Sequence, residues 1–407
     1  MKKIILSLGL SFFLSASLFA QEADSVKVKE EKNMKLLLIP VLASSPATGF
    51  MFGVAPAITF IKGDPKTTAI SSYLGSAVYT TQKQLLLTFK GNLFFENNEW
   101  LLMNDWRYFI TSQPTFGLGT GPQSARLVST GIEYEDGLTS QAIDEAQFMK
   151  FNFLRLHQTL LKKVNSNGLY AGIGYHLDIH SKIEDQLLDL EADPPVITSH
   201  YAYSTKYGIN PEKYTLSGVS GNVIYDTRDN TVNAYHGRYA FLSLKGNPTW
   251  LGSTVGSSTL WAEYRDYFTL NPDRPRNLIA FWAYGNFQTG GALPYLDLPA
   301  LGWDQFGRSG RAYPQGRFRG QSLVYSELEW RFPLQQNNDR WGGVIFGNIS
   351  SATNKDAEIK MFKYMNTGVG LGVRFMLDKQ KRQNLALDYA WGNYGASGFY
   401  LSVNEVF

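Results

Sequence analysis

The chain has 407 residues, a formal net charge of +3 and no cysteine. The missing thiols exclude a disulfide framework, a lipoprotein anchor, thiol catalysis and cysteine metal sites. The small net charge gives no electrostatic footprint for nucleic acid, which is not expected as a partner. Aromatics reach 14%, with 23 Tyr, 26 Phe and 9 Trp, yet the mean hydropathy is only −0.20.

The opening residues, MKKIILSLGLSFFLSASLFAQ, join Lys2 and Lys3 to an apolar run over 4–14 and then to small residues. That order reads as a signal peptide over 1–20, cut after Ala20. The apolar run falls short of the ~20 residues that a spanning helix needs. Residues 21–45 start polar (QEADSVKVKEEKNMK) and read as a short periplasmic lead. They are too few for an independent domain, which usually needs more than about 40 residues. One domain, 46–407, is expected after them. An exported, aromatic-rich chain whose hydrophobicity alternates suggests an outer-membrane β-barrel. The rival is a large secreted all-β protein, and the strand patterns must decide.

Fifteen segments read as strands: 49–62, 67–80, 84–96, 98–111, 147–163, 168–180, 214–227, 237–247, 257–270, 277–290, 321–334, 340–350, 365–377, 384–392 and 397–407. Bacterial single-chain barrels have even strand numbers, so 124–137 is expected to supply a sixteenth. The first expected strand contains Pro56. Proline cannot donate to a ladder, and the first strand of a barrel closes on the last, so Pro56 is expected to thin that seam. In 84–95, Leu85, Leu87, Phe89, Leu93 and Phe95 oppose Thr88, Lys90 and Asn92. In 168–180, His176, Asp178 and His180 share one face. Two histidines beside a carboxylate can bind zinc or act as an acid–base pair. No second metal-spaced motif and no G-x-S-x-G elbow accompanies them. A polar inner wall is the plainer reading, so no catalytic residue, metal or cofactor is expected.

The stretch 316–334, GRFRGQSLVYSELEWRFPL, runs an arginine-rich loop into a strand. Glu327, Glu329 and Arg331 recur at strand period on one face, with Val324, Leu328, Trp330 and Phe332 on the other. In 367–377, Val369, Leu371, Val373, Phe375 and Leu377 oppose Gly368, Gly370, Gly372 and Arg374. In 384–391, Leu385, Leu387, Tyr389 and Trp391 oppose Asp388. Apolar, often aromatic residues on one face and glycine with charge on the other imply lipid outside and a wet lumen inside. With sixteen strands the long connections 181–213 and 291–320 fall on the cell surface and the 228–236 turn in the periplasm. The chain ends SGFYLSVNEVF, where Phe399, Leu401, Val403 and Phe407 share a face. That ending resembles the C-terminal signal by which outer-membrane barrels are recognised for assembly.

The loop and strand at 316–334 resemble those of the BamA/TamA family, the bacterial surface antigen barrels. In that family an extracellular loop with a V-R-G-F/Y motif folds into the lumen and its arginine meets acidic residues on the wall. The matching residues here are Phe318, Arg319 and Gly320. Phe318 stands where the family has valine, and Gln321 where it has an aromatic. The segment YDTRDNTVNAYHGRY resembles a second family signature through Asp226, Arg228, Asp229 and Gly237, without its usual proline. The resemblance implies an all-β, sixteen-stranded antiparallel transmembrane barrel in a Gram-negative outer membrane, plugged by the 291–320 loop. It also implies that Arg319 pairs with lumen carboxylates, Asp388 or Glu329, with Glu327 close by. Relatives that insert or export proteins carry periplasmic POTRA modules; the 21–45 lead leaves no room for one, which resembles the POTRA-less branch.

The expected function is therefore assembly or translocation of outer-membrane proteins or lipids. A channel or receptor for a small solute is the alternative, and a hydrolase using the His176 face a third reading. Expected partners are lipopolysaccharide and phospholipid, the barrel assembly machinery for the chain's own insertion, and a periplasmic protein in trans.

Overall fold

The structure is a computed structural model. It describes residues 34–407 apart from 46–48, 122–131, 136, 141–142, 144–145 and 336–339. The expected signal peptide over 1–20 lies outside the described residues. The strands in chain order are β1 (Met34–Ser45), β2 (Gly49–Phe60), β3 (Ser71–Thr80), β4 (Leu85–Phe94), β5 (Trp100–Thr115), β6 (Glu133–Glu135), β7 (Leu138–Thr139), β8 (Gln147–Lys163) and β9 (Leu169–Asp185). There follow β10 (Tyr214–Asp226), β11 (Gly237–Asn247), β12 (Ser257–Thr269), β13 (Leu278–Gly291), β14 (Ser322–Pro333), β15 (Trp341–Ala352), β16 (Asn366–Asp378), β17 (Gln383–Gly392) and β18 (Ser397–Val403). A short helix, α1, spans Ser199–Lys206. Sixteen strands form one sheet in which each pairs with its neighbour in sequence; β6 and β7 form a separate hairpin.

Burial shows which way the sheet curls. On β14, Glu327 and Glu329 are 1% and 0% exposed, whereas Leu328 and Trp330 are 52% and 43% exposed. A soluble protein would bury the second pair and expose the first. The inversion repeats on β16, where Val369, Leu371 and Val373 are exposed and Arg374 is buried. The outer face is therefore a lipid surface and the inner face a polar lumen. Exposed aromatics gather near both rims. Trp100, Phe268, Trp330 and Trp341 lie near one end, and Phe50, Tyr79, Trp391 and Phe399 near the other. This is the two-girdle pattern of outer-membrane barrels. The long connections 186–213 and 292–321 share one end, opposite the 227–236 turn. By the short-turn, long-loop asymmetry, that end faces the outside.

Three expectations are corrected here. Residues 34–45 are not periplasmic lead but the first strand of the sheet, paired with β2 from Met34↔Phe60 to Ser45↔Gly49. The sixteenth strand is therefore β1 and not 124–137. Of that span, 124–131 and 136 fall outside the described residues, and Glu133–Glu135 belongs to the small hairpin. Pro56 consequently lies on the second strand, opposite Leu38, and away from the seam. Its effect falls on the next ladder, where β2–β3 pairing stops after Val54↔Ala77 and resumes at Ala57↔Leu74. The seam strand has its own proline, Pro40, a residue tolerated on an edge because it deletes a donor that would face no partner.

Candidate functional site

No backbone pairing joins β1 to β18 among the described residues. The two strands are unequal: β1 has 12 residues and β18 has 7. At the periplasmic end, two lysine side chains link the two sides of this gap. Lys35 pairs with Asp378, and Lys381 Nζ donates to the Thr59 carbonyl at 3.1 Å. Lys35 is largely exposed, so its pair is worth only about 0–1 kcal/mol.

After Val403 the chain leaves the sheet and turns inward. Asn404 takes φ +67°, a left-handed conformation that asparagine tolerates better than most residues. Glu405, Val406 and Phe407 are buried. The Phe407 ring lies 5.3 Å from Trp282 and 6.1 Å from Tyr267. The four residues read as one assembly face thus divide: Phe399 and Leu401 are exposed on the outer surface, while Val403 and Phe407 are buried. The shared-face expectation holds only while the strand lasts, and β18 ends at Val403.

The segment 292–321 between β13 and β14 folds back on itself. Leu301 N–H donates to the Phe318 carbonyl at 2.9 Å, Gly316 N–H to Leu301 at 2.8 Å, and Gly320 N–H to Pro299 at 3.0 Å. The folded segment touches inner-face residues on well-separated strands. Arg107 of β5 donates to the carbonyls of Asp304 (3.2 Å) and Gln305 (3.1 Å). Across the lumen, the hydroxyl of Tyr400 on β18 accepts the Ala312 N–H at 2.9 Å.

The arginine of this segment that meets the wall is Arg311, not Arg319. Arg311 donates to Asp388 and to Glu327, each at 2.7 Å, and also to Glu329. Its guanidinium lies 3.4 Å from the centre of the Phe346 ring. Arg319 is equally buried but points into its own loop. It donates to the carbonyls of Tyr295 (2.9 Å), Leu296 (2.6 Å) and Leu298 (3.4 Å). The expected pairing of Arg319 with Asp388 or Glu329 is therefore corrected. The physical reason is the fold-back at 299–302 against 316–320, which places Arg319 beside the turn Tyr295–Asp297. The two charges differ accordingly. Burial lowers the Arg311 pKa, and Glu327, Glu329 and Asp388 more than reverse the effect. Burial also lowers Arg319, and Tyr295, Tyr214 and Asp297 do not restore it.

Arg311 is one corner of a larger network. Arg331 binds Glu329 at 2.6 Å, Arg374 binds Asp388, and Arg374 binds Glu405 of the tail at 2.7 Å. Tyr325 donates to Glu327 at 2.6 Å, and Asn384 to Glu405 at 2.6 Å. Three arginines and four carboxylates thus tie the loop and the tail to the same wall, β14 to β17. The inward glycines of β16 make room for this. A Cβ on Gly372 would lie 1.8 Å from an Asp388 oxygen, and one on Gly368 2.9 Å from the Arg311 carbonyl.

The second signature closes the 227–236 turn. Arg228 grips Asp226 through two hydrogen bonds of 2.9 and 2.7 Å. Asp229 accepts the N–H groups of Tyr235 (2.9 Å) and His236 (3.2 Å) and pairs with Arg382. Gly237 has φ +100°, and a Cβ there would sit 2.3 Å from the Thr227 carbonyl oxygen. His176, Asp178 and His180 all face inward but have separate partners: His176 bonds Ser220 at 2.7 Å, Asp178 pairs with Arg155 (2.6 Å) and His157 (2.8 Å), and His180 faces Asp297 at 3.2 Å. Among the described residues no group of three or more His, Asp or Glu is arranged to hold a metal.

Comparison with known proteins places this geometry. The Omp85 superfamily domain matches residues 163–407, more than half of the chain. Among solved structures, BamA from Haemophilus ducreyi lacking POTRA domains 1–3 superposes with TM-score 0.55 at 13% identity, covering 91% of this chain and 70% of that one. CdiB from Acinetobacter baumannii superposes with TM-score 0.53 at 12% identity, covering 92% of this chain and 60% of that one. At such identities the likeness is one of fold. A comparison with curated protein sequences returned no match.

Proposed function

This chain belongs to the Omp85 superfamily of outer-membrane barrels, and on that footing we propose that it assists the insertion or translocation of proteins or lipids by opening sideways between β1 and β18. The observation that carries the reading is the seam itself, with unequal strands, no ladder between them among the described residues and a tail turned away from the gap. A substrate strand or acyl chain bound for the bilayer has to leave through the wall, and a strand entering hydrocarbon must keep its backbone groups paired, which an open seam edge would allow. A solute passing through the lumen requires no such exit. The folded segment 292–321 and the inward tail both occupy the inner path, which weakens the channel reading. Membrane lipid borders the outer face, and a periplasmic partner in trans would stand at the rim formed by the 227–236 turn.

The test is depletion followed by a census of outer-membrane proteins and lipids. Loss of specific barrels or lipids from the outer membrane, restored by the wild-type gene, is expected. An unchanged census together with a lost uptake of one small solute would favour the channel or receptor instead.

A further inference from the structure

A cavity of about 70 Å³ lies in the periplasmic half of the barrel, between the tip of the 292–321 segment and the inward tail. By the same measure one water needs about 10–15 Å³, so the space exceeds that of a single bridging water and suits a compact ion. The charged residues on its wall are Lys90, Arg228, Arg265, Arg308 and Glu405. Three of these are satisfied. Arg228 is held by Asp226, Arg265 by Glu263, and Glu405 by Arg374.

The other two are cations without a carboxylate. Lys90 is 92% buried (8% exposed), and no carboxylate oxygen lies within 4 Å of it among the described residues. Asp105 stands opposite Lys90 across the β4–β5 ladder, but both its oxygens are taken by Arg107, at 2.7 and 2.6 Å. Arg308 donates only to neutral carbonyls of the tail, Val403 at 2.8 Å and Glu405. Burial, reinforced by the charges of Arg265 and Arg374, pulls Arg308 down to about 10 against the pull of Asp304 and Glu405. An isolated buried cation is among the costliest arrangements in a protein and is relieved either by loss of its proton or by a counter-ion.

We propose that this cavity binds an oxyanion of the phosphate class between Lys90 and Arg308, on the periplasmic side of the lumen. The site does not depend on the seam opening. Phosphate fits because its oxygens can accept from an ammonium and a guanidinium at once. The same chemistry is offered by free phosphate and by a lipid headgroup phosphomonoester.

The experiment uses the whole folded barrel in zwitterionic micelles. Its unfolding midpoint is followed against inorganic phosphate, with chloride added to keep ionic strength constant. A saturable rise is expected, weakened at least tenfold in Lys90→Met and retained in Lys90→Arg. A second arm replaces phosphate with short-chain phosphatidic acid or phosphatidylcholine. Tighter binding of phosphatidic acid than of phosphate assigns the site to a headgroup, and the reverse order assigns it to the free ion. Absence of a saturable rise with either overturns the proposal, as does an undiminished rise in Lys90→Met.

Discussion

Arg311→Ala is expected to be the most damaging single change at the inner wall. It removes the one cation that touches Glu327, Glu329 and Asp388 together. Breaking a buried pair from one side costs about 3–5 kcal/mol, because the partner charge stays behind. Here three carboxylates stay behind. Arg331 and Arg374 keep hold of Glu329 and Asp388, and water in the lumen can reach the rest, so a loss of about 2–4 kcal/mol is expected. The readout is the denaturant or temperature at which the barrel loses its compact, heat-modifiable form on a gel. Residues that share a network are non-additive. Arg311→Ala combined with Glu329→Ala should therefore cost clearly less than the sum of the two. Arg319→Ala should add to Glu329→Ala without coupling, since its guanidinium donates to backbone carbonyls of its own loop and lies over the Tyr295 ring, away from Glu329. Coupling at Arg319 and additivity at Arg311 would contradict the assignment.

Phe407→Ala should loosen the tail. The ring is buried against Trp282 and Tyr267, and truncating a buried phenylalanine costs about 3–5 kcal/mol. Arg374 and Asn384 still grip Glu405, and Arg308 still donates to its carbonyl, so the tail should loosen at its end before it leaves the wall. A cysteine placed at Val406, buried in the wild type, should change from unreactive to reactive towards a maleimide once Phe407 is truncated. The tail should also respond to acid. Burial raises the Glu405 carboxyl, but Arg374 and Arg331 overcome this and hold it well below the ordinary carboxylate range. A depressed folded value gives stability that is complete above the unfolded value, about 4.3 for glutamate, and lost as pH falls towards the folded one. Val406→Cys should therefore stay protected from pH 8 to about 5 and become labelled only at lower pH, read with a dipyridyl disulfide, which is activated by ring protonation and still reacts with thiols in acid, in place of the maleimide. Labelling that is equal at pH 8 and 4 would contradict the ion-pair hold.

Much of the fold was legible because one rule, period two, governs most of the spanning strands. The opposition of Leu328 and Trp330 to Glu327 and Glu329 predicts both the lipid face and the lumen face, and the structure places them so. The first strand escaped for a physical reason. MKLLLIPVLASS is nearly uniform in hydrophobicity and carries Pro40, so it lacks the alternation that marks a strand with one wet face. Its discovery moved Pro56 one strand inward and moved the seam with it. The wall arginine escaped for a different reason. Arg308, Arg311, Arg317 and Arg319 all sit in one irregular loop, where no period says which way a side chain points. The family motif singled out Arg319; only the fold-back of 299–302 on 316–320 reveals that it caps its own loop and leaves the carboxylates to Arg311. The inward tail was likewise invisible, since the face read from the sequence ran on to Phe407 whereas the strand ends at Val403.

The seam is where the account is most exposed. The chain has no native cysteine, so an engineered pair cannot mispair within it. One cysteine would replace Leu37 or Val41, on the inward side of β1, and the other Ser402 or Gly398, on the inward side of β18. Pairs are chosen whose Cα atoms come within ~7 Å when the strands close. Each barrel is produced in depleted cells, oxidised, and scored for restoration of the outer-membrane census. The account predicts that oxidation locks the seam and abolishes rescue, and that reductant restores it. A locked barrel that rescues as well as its reduced form would contradict sideways opening and leave the lumen as the working path.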